Sequence, residues 1–187
     1  QLEDYPGLGR DDAVAFSLAD CGYIVTGNHG GFSESNQMWK YNTTTKQWYK
    51  LTDFPGEKRQ YALAFTNNQF AYVLGGISEN NVPLNDFYRY NSLDNSWQQL
   101  DSFPGLARWS AATIQSQKSA FVFGGATVNG FLNDSWRYDF KTESWENLDT
   151  IPALAKRDQL CFSLGDKIYL SCGYSINPLM YHSETFS

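Results

Sequence analysis

Histidine is almost missing from this chain: His29 and His182 are the only two among 187 residues. That scarcity excludes a multi-histidine metal centre, which needs several imidazole or thiolate ligands brought together. Cysteine is also sparse. Cys21, Cys161 and Cys172 make no CxxC pair and no even-numbered framework, so they read as small buried hydrophobes. Cys161 and Cys172 flank a turn at Gly165-Asp166, which leaves a cross-strand bridge open. Charged residues are only 18% of the chain, and acidic ones outnumber basic ones by 20 to 14, for a net charge of −6. A nucleic-acid binder needs a basic face to neutralise phosphates, so that class is excluded. No apolar run approaches a membrane span, and "QLEDYPGLGR" is not a signal peptide. P-loop, nucleophile-elbow and dinucleotide glycine motifs are absent; "GNHGG" (27–31) is glycine-rich, but no helical pattern follows it. Asp11-Asp12 has the chemistry for acid–base work but reads more simply as a solvated loop. No metal and no cofactor is expected.

What the chain does have is aromatic rings and glycine: 6 Trp, 12 Tyr, 13 Phe and 15 Gly. Short alternating runs broken by Gly, Asn, Asp and Pro, with no helical period, point to an all-β fold. The runs repeat. "WYKLTDFP" (48–55), "WQQLDSFP" (97–104) and "WENLDTIP" (145–152) share one frame, and Pro6, Pro55, Pro104 and Pro152 are 49, 49 and 48 residues apart. Tyr41/Trp48, Tyr90/Trp97 and Tyr138/Trp145 are each separated by seven residues. Upstream lies a small-residue doublet: Gly27-Asn28, Gly75-Gly76, Gly124-Gly125 and Cys172-Gly173. Strands are predicted at 61–66 and 70–76, joined as a hairpin, and at 86–91 and 96–100, joined as a second. A constant Tyr-to-Trp spacing is what a hairpin of fixed register requires. Four-stranded units of this size bury their faces only by stacking radially, blade on blade. Each Trp then contributes up to about 5 kcal/mol of inter-blade burial, from roughly 200 Å² per ring.

The doublet after an apolar strand, followed by "NDFYRYN" (85–91) or "NDSWRYD" (133–139), the spaced Trp and the Pro, resembles the kelch repeat over essentially the whole chain. The resemblance implies a kelch-type β-propeller, similar to the galactose-oxidase central domain, with about four four-stranded blades of a complete six or seven. Residues 1–6 would end a preceding blade, 7–55, 56–104 and 105–152 would be repeats, and 153–187 an incomplete one. "QLEDYP" (1–6) aligns with "QLDSFP" (99–104), and "SETFS" (183–187) with "NDSWR" (133–137), so the reading is an arc of a larger propeller; a four-blade closed ring is the alternative. The "FPG" segments are also loosely similar to kelch repeats of bacterial surface and secreted proteins, which leans localisation that way.

The function implied is a non-enzymatic binding module that presents one loop-lined face to a protein, such as an acidic peptide segment, or to a glycan. The alternative is a fragment of a kelch enzyme, sialic-acid mutarotase-like or galactose-oxidase-like, with its catalytic residues mostly elsewhere. The Glu-x3-Asp-x3-His iron motif of kelch nitrile-specifier proteins is absent, since Val25 and Pro178 stand four before the histidines. Arg10, Arg59 and Arg108 lie four residues after their prolines, and Arg157 five after. They are either structural forks on backbone carbonyls or, as in kelch adaptors that bind acidic motifs, a ring of guanidinium groups that grips carboxylates. Trp109, His29 and Asn80, on or beside the variable loops (28–37, 76–85, 125–133, 173–182), complete the candidate binding set.

Overall fold

The structure, a computed structural model, describes residues 2–31, 33–151 and 155–186, so the landmark Pro152 lies outside the described residues. Among the described residues, eighteen strands form consecutive antiparallel units. Blade one is β1 (Val14–Leu18), β2 (Cys21–Val25), β3 (Met38–Asn42) and β4 (Gln47–Lys50). Blade two is β5 (Arg59–Gln60), β6 (Leu63–Thr66), β7 (Phe70–Ser78), β8 (Pro83–Asn91) and β9 (Ser96–Leu100), with β5 and β6 both paired to β7. Blade three is β10 (Ala112–Gln115), β11 (Ser119–Thr127), β12 (Gly130–Asp139) and β13 (Ser144–Leu148). The fourth blade is shorter: β14 (Leu160–Leu164), β15 (Lys167–Ser171), a separate hairpin of β16 (Tyr174–Ile176) and β17 (Leu179–Tyr181), and β18 (Thr185–Phe186) back beside β15.

The seven-residue spacing now has its cause. Tyr41, Tyr90 and Tyr138 sit directly opposite Trp48, Trp97 and Trp145 across the outer hairpins. Before Pro6, Pro55 and Pro104 an aromatic leaves its own blade and packs on the next. Phe54 meets Tyr88 and Trp97 at centroid distances of 4.8 and 5.0 Å, and Phe103 meets Trp136 and Trp145 at 5.1 and 4.8 Å. Tyr5 does the same to Trp39 and Trp48. An asparagine at the start of the third strand holds that exit in place. Asn36 and Asn85 accept from the backbone N–H of Phe54 and Phe103 through their own carbonyls, and their side-chain amides donate back to the carbonyls of Phe54 and Phe103.

Backbone hydrogen bonds also run from blade to blade. The N–H groups of Tyr61, Ser110 and Asp158 donate to the carbonyls of Asp12, Tyr61 and Ser110 at 3.0, 3.1 and 3.0 Å, around the inner end of the blades. Further out, the N–H groups of Gly27, Gly76 and Gly125 donate to the carbonyls of Arg59, Arg108 and Lys156. This second series corrects the doublet in unit one. Thr26–Gly27, with φ of +64° and +98°, matches Gly75–Gly76, Gly124–Gly125 and Cys172–Gly173, so the sequence frame Gly27-Asn28 is one residue late. A β-branched residue at positive φ is strained, and Thr26 is fully buried there.

Between blades three and four an apolar cleft of about 310 Å³ lies among Phe121, Phe123, Ile151, Ile168, Leu170 and Phe186. All three cysteines are free. Cys161 stands opposite Leu170 rather than Cys172, a diagonal offset that exceeds disulfide reach, and burial pushes its thiol up to about 11.

Candidate functional site

The doublet loops and the segments that lead into the inner strands meet on one face, here the loop face; the tight hairpin turns lie on the opposite, turn face. The residue just before each positive-φ inlet position pairs with the residue just after the doublet: Asp11 with Asn28, Gln60 with Ile77, Trp109 with Ala126 and Arg157 with Tyr174. Asp11, Gln60, Trp109 and Arg157 are therefore one register position, repeated around the loop face.

One residue earlier the chain turns inward, and the candidate arginines part company. Arg59 and Arg108 are fully buried. Arg59 forms a two-pronged bond to Asp86, at 2.5 and 2.7 Å, and also donates to the Gly75 and Glu57 carbonyls. Arg108 repeats this with Asp134 (2.7 and 2.7 Å), Gly124 and Leu106. Phe54 and Phe103 lie 4.8 Å from the respective guanidinium carbons. These side chains have no donor facing solvent, so the expected ring of ligand-gripping guanidinium groups is not formed by them. They clasp the doublet to the "ND" aspartate of their own blade. Burial raises the pKa of Asp134, but the Arg108 hydrogen bonds and charge outweigh it, with help from Trp136 Nε1–H, and hold it below the usual carboxylate range.

Arg10 makes a weaker version of the clasp. Gln37 stands where the aspartate should be, and Arg10 donates to its side-chain oxygen at 3.1 Å and to the Thr26 carbonyl at 2.8 Å. In blade four the buried cation is Lys156, not Arg157: Lys156 donates to Glu184 at 3.2 Å and lies over Phe186. Arg157 shares the position of Trp109 instead. It is about one-third exposed, stands beside Asp158 at 3.3 Å, and lies against Phe131 and Tyr174 at 5.6 and 5.7 Å from their ring centroids. The five-residue spacing from Pro152 was the signal that Arg157 belonged to a different series.

The inlet residues themselves, Asp12, Tyr61, Ser110 and Asp158, all hold φ between +53° and +56°. Strained non-glycine positions repeated around one channel mouth are a mark of a built site, and sequence reading passed over Tyr61 and Asp158. Burial, then the hydrogen bond and charge of Asp12, push Tyr61 up to about 12; burial likewise raises Asp12. His29 is half-buried, with Nδ1 3.3 Å from the Gly9 carbonyl, and Asn80 is exposed at the tip of the β7–β8 loop, its N–H on Ser78 Oγ. Neither gathers other chemistry around it.

Among the described residues there is a nucleophile-like constellation. Ser175 Oγ lies 2.7 Å from His182 Nε2, and His182 Nδ1 lies 3.0 Å from Glu184. Ser175 is only 1% exposed and its hydroxyl also contacts the Pro178 carbonyl, so it offers no attacking oxygen to a substrate. Among the described residues no group of three or more His, Cys, Asp or Glu side chains is arranged for a metal ion, and no helix is long and apolar enough to cross a membrane.

A family model described as the KLHDC2/KLHL20/DRC7 Kelch-repeats domain matches residues 23–186. No curated protein matches the chain. A solved structure titled "Structure of YjhT" superposes on 93% of the chain with a TM-score of 0.83 at 17% identity, a likeness of fold. The chain spans 62% of that structure's length.

Proposed function

The chain belongs to the kelch-repeat family, and on that premise we propose that it is a non-enzymatic interaction module that docks a protein partner on its loop face. One observation carries the reading. Val82, Val128, Ile176, Leu179, Met180 and Tyr181 are all exposed at the tips of the doublet loops of blades two to four, and Leu8 and Leu106 are exposed on the adjoining inlets. Isolated surface hydrophobes need no explanation, but a concentration of them on one face marks a protein contact surface. A glycan would call instead for hydroxyl and amide groups there. The apolar tips surround Arg157, Trp109 and the polar channel mouth, an apolar rim around an anchoring centre of Arg and Trp, the residue types enriched in binding hot spots. Arg59 and Arg108 are assigned to the scaffold and Arg10 is engaged by Thr26 and Gln37, so of the four recurrent arginines we assign Arg157 to meet an acidic group on the partner. We also read the chain as an arc of a larger propeller. Leu160 and Phe162 on β14 are exposed, whereas their counterparts Leu63 and Phe65 on β6 are covered by the following blade.

Photo-crosslinking tests the reading. A benzophenone amino acid placed at Val128 or Tyr181 should give discrete adducts in extract of the native cell, and one placed at Leu93 on the turn face should not. Adducts of equal yield from Leu93, or none from either loop-face position, would overturn it.

A further inference from the structure

We infer that the β16–β17 hairpin, which carries Ile176, Leu179, Met180 and Tyr181 on the proposed docking face, is held shut by a proton-dependent latch at His182. The inference rests on the docking reading only for its consequence; the latch itself stands on the geometry of four groups. Ser175 Oγ lies 2.5 Å from the Pro178 carbonyl oxygen and 2.7 Å from His182 Nε2. His182 Nδ1 lies 3.0 Å from Glu184 Oε2, which also accepts from Lys156 Nζ at 3.2 Å. Ser175 and Lys156 are each 1% exposed and His182 is 7% exposed.

Counting protons decides how the chain of contacts works. The carbonyl and the carboxylate only accept, and the serine hydroxyl has a single proton to give. Satisfying all three contacts along Pro178–Ser175–His182–Glu184 therefore takes Ser175 O–H to Pro178, Nε2–H to Ser175 and Nδ1–H to Glu184. Only the imidazolium carries both ring protons. In neutral imidazole the single N–H stays at Nδ1, facing the carboxylate, and Nε2 becomes an acceptor. Ser175 O–H then turns to Nε2, and the Pro178 carbonyl, in the turn between β16 and β17, loses its donor. Protonation closes the turn; deprotonation releases it.

Other groups around the ring support this direction. Lys156 holds Glu184 below the usual carboxylate range, chiefly by its hydrogen bond, so the acceptor stays ionised. The charged groups that face the imidazole are Glu184, just before β18, and Lys156, from the segment leading into β14. The hairpin contributes Ser175 and the phenols of Tyr174 and Tyr181, which pack on one another at 5.0 Å. Arg157, at the base of β16, is turned toward Asp158. Blades two and three have no such device. Their equivalents of Ser175, Ser78 and Thr127, close their own loops directly, Ser78 by accepting from the Val82 N–H and Thr127 by donating to the Gly130 carbonyl. Histidine changes charge between about pH 5 and 8, so blade four, unlike blades two and three, presents its apolar finger in a pH-dependent way.

The test is amide hydrogen exchange of the 187-residue chain from pH 5.5 to 7.5, corrected for intrinsic rates, with no partner present. Protection of the amides in 174–182 should fall about threefold to tenfold across that range, the worth of one hydrogen bond, with β6–β7 as an unchanged internal reference. In His182→Gln the dependence should vanish. Ser175→Ala should lower protection at pH 5.5 and leave it flat, which keeps the test alive if the histidine variant folds poorly. A flat profile in the wild-type chain, or the same slope in either variant, would overturn the latch. That result would leave the docking reading standing, and absent crosslinks at Tyr181 would overturn docking without touching the latch.

Discussion

Replacing Arg108 with alanine separates scaffold from binding site most directly. The guanidinium is fully buried and donates to both oxygens of Asp134 and to the carbonyls of Gly124 and Leu106. Removing one partner of a buried ion pair costs about 3–5 kcal/mol, because the other charge stays behind unpaired. Asp134 keeps the Trp136 Nε1–H at 2.7 Å and its side chain is 23% exposed, which favours the lower end, about 3 kcal/mol. Against a total stability of about 5–15 kcal/mol that is a large fraction. With a urea slope of about 2 kcal/mol/M the midpoint should drop by about 1.5 M, measured by tryptophan fluorescence. The pH response supplies a second readout. The depressed pKa of Asp134 contributes stability that is present above the unfolded aspartate value of about 3.9 and is lost as pH falls through the folded value. Without Arg108 burial is opposed only by the Trp136 and backbone hydrogen bonds, so acid unfolding should begin at higher pH. Arg108→Met with Asp134→Leu should cost less than Arg108→Ala alone, since no charge is stranded. A loss under about 1 kcal/mol for Arg108→Ala, or a double variant as damaged as the single one, would refute the clasp and return Arg108 to the ligand-binding column.

Two further outcomes follow from the same geometry. Gly125→Ala should destabilise by more than the roughly 1–3 kcal/mol of backbone strain alone, because its Cβ would sit 2.9 Å from the Trp109 carbonyl; Gly130→Ala, also at positive φ but with nothing within 4 Å, should cost only the strain, and equal thermal shifts would count against the close approach of the doublet to its own blade's inlet. In an absorbance titration at 295 nm, Tyr23 and Tyr61, each pushed up to about 12, should ionise well after exposed phenols; Tyr61→Phe should remove one late-titrating group, and its loss from the early-titrating class instead would show Tyr61 to be solvated.

Much of the scaffold could be read from the sequence because it is written in local spacings. Tyr90 and Trp97 are seven apart because a four-residue turn places them opposite each other, and that relation needs no knowledge of the rest of the chain. Strand lengths were harder. The run predicted at 70–76 continues to Ser78, and its partner starts at Pro83 rather than Asp86, because the doublet is a bulge inside the strand and not its end. The site was less legible for a different reason: its register is set by neighbouring blades. Thr26 takes the positive φ that glycine advertises elsewhere, and only the Gly27 N–H on the Arg59 carbonyl reveals the frame.

The arginine series shows how chemical identity misleads where position decides. A buried cation opposite a carboxylate recurs in blades two to four, but blade four supplies it with Lys156 and Glu184, so a search for arginine skips one place along and lands on Arg157. The same slip moved Arg157 from the inner clasp to the loop face, where aromatic stacking leaves it partly exposed. A lysine cannot match the planar fork of arginine. Glu184, held by a single ammonium contact rather than two prongs, therefore has capacity to accept from His182. Blade four, where both the arginine and the aspartate of the clasp are replaced, is thus also a blade whose loop is tied to an ionisable ring through the carboxylate of that clasp.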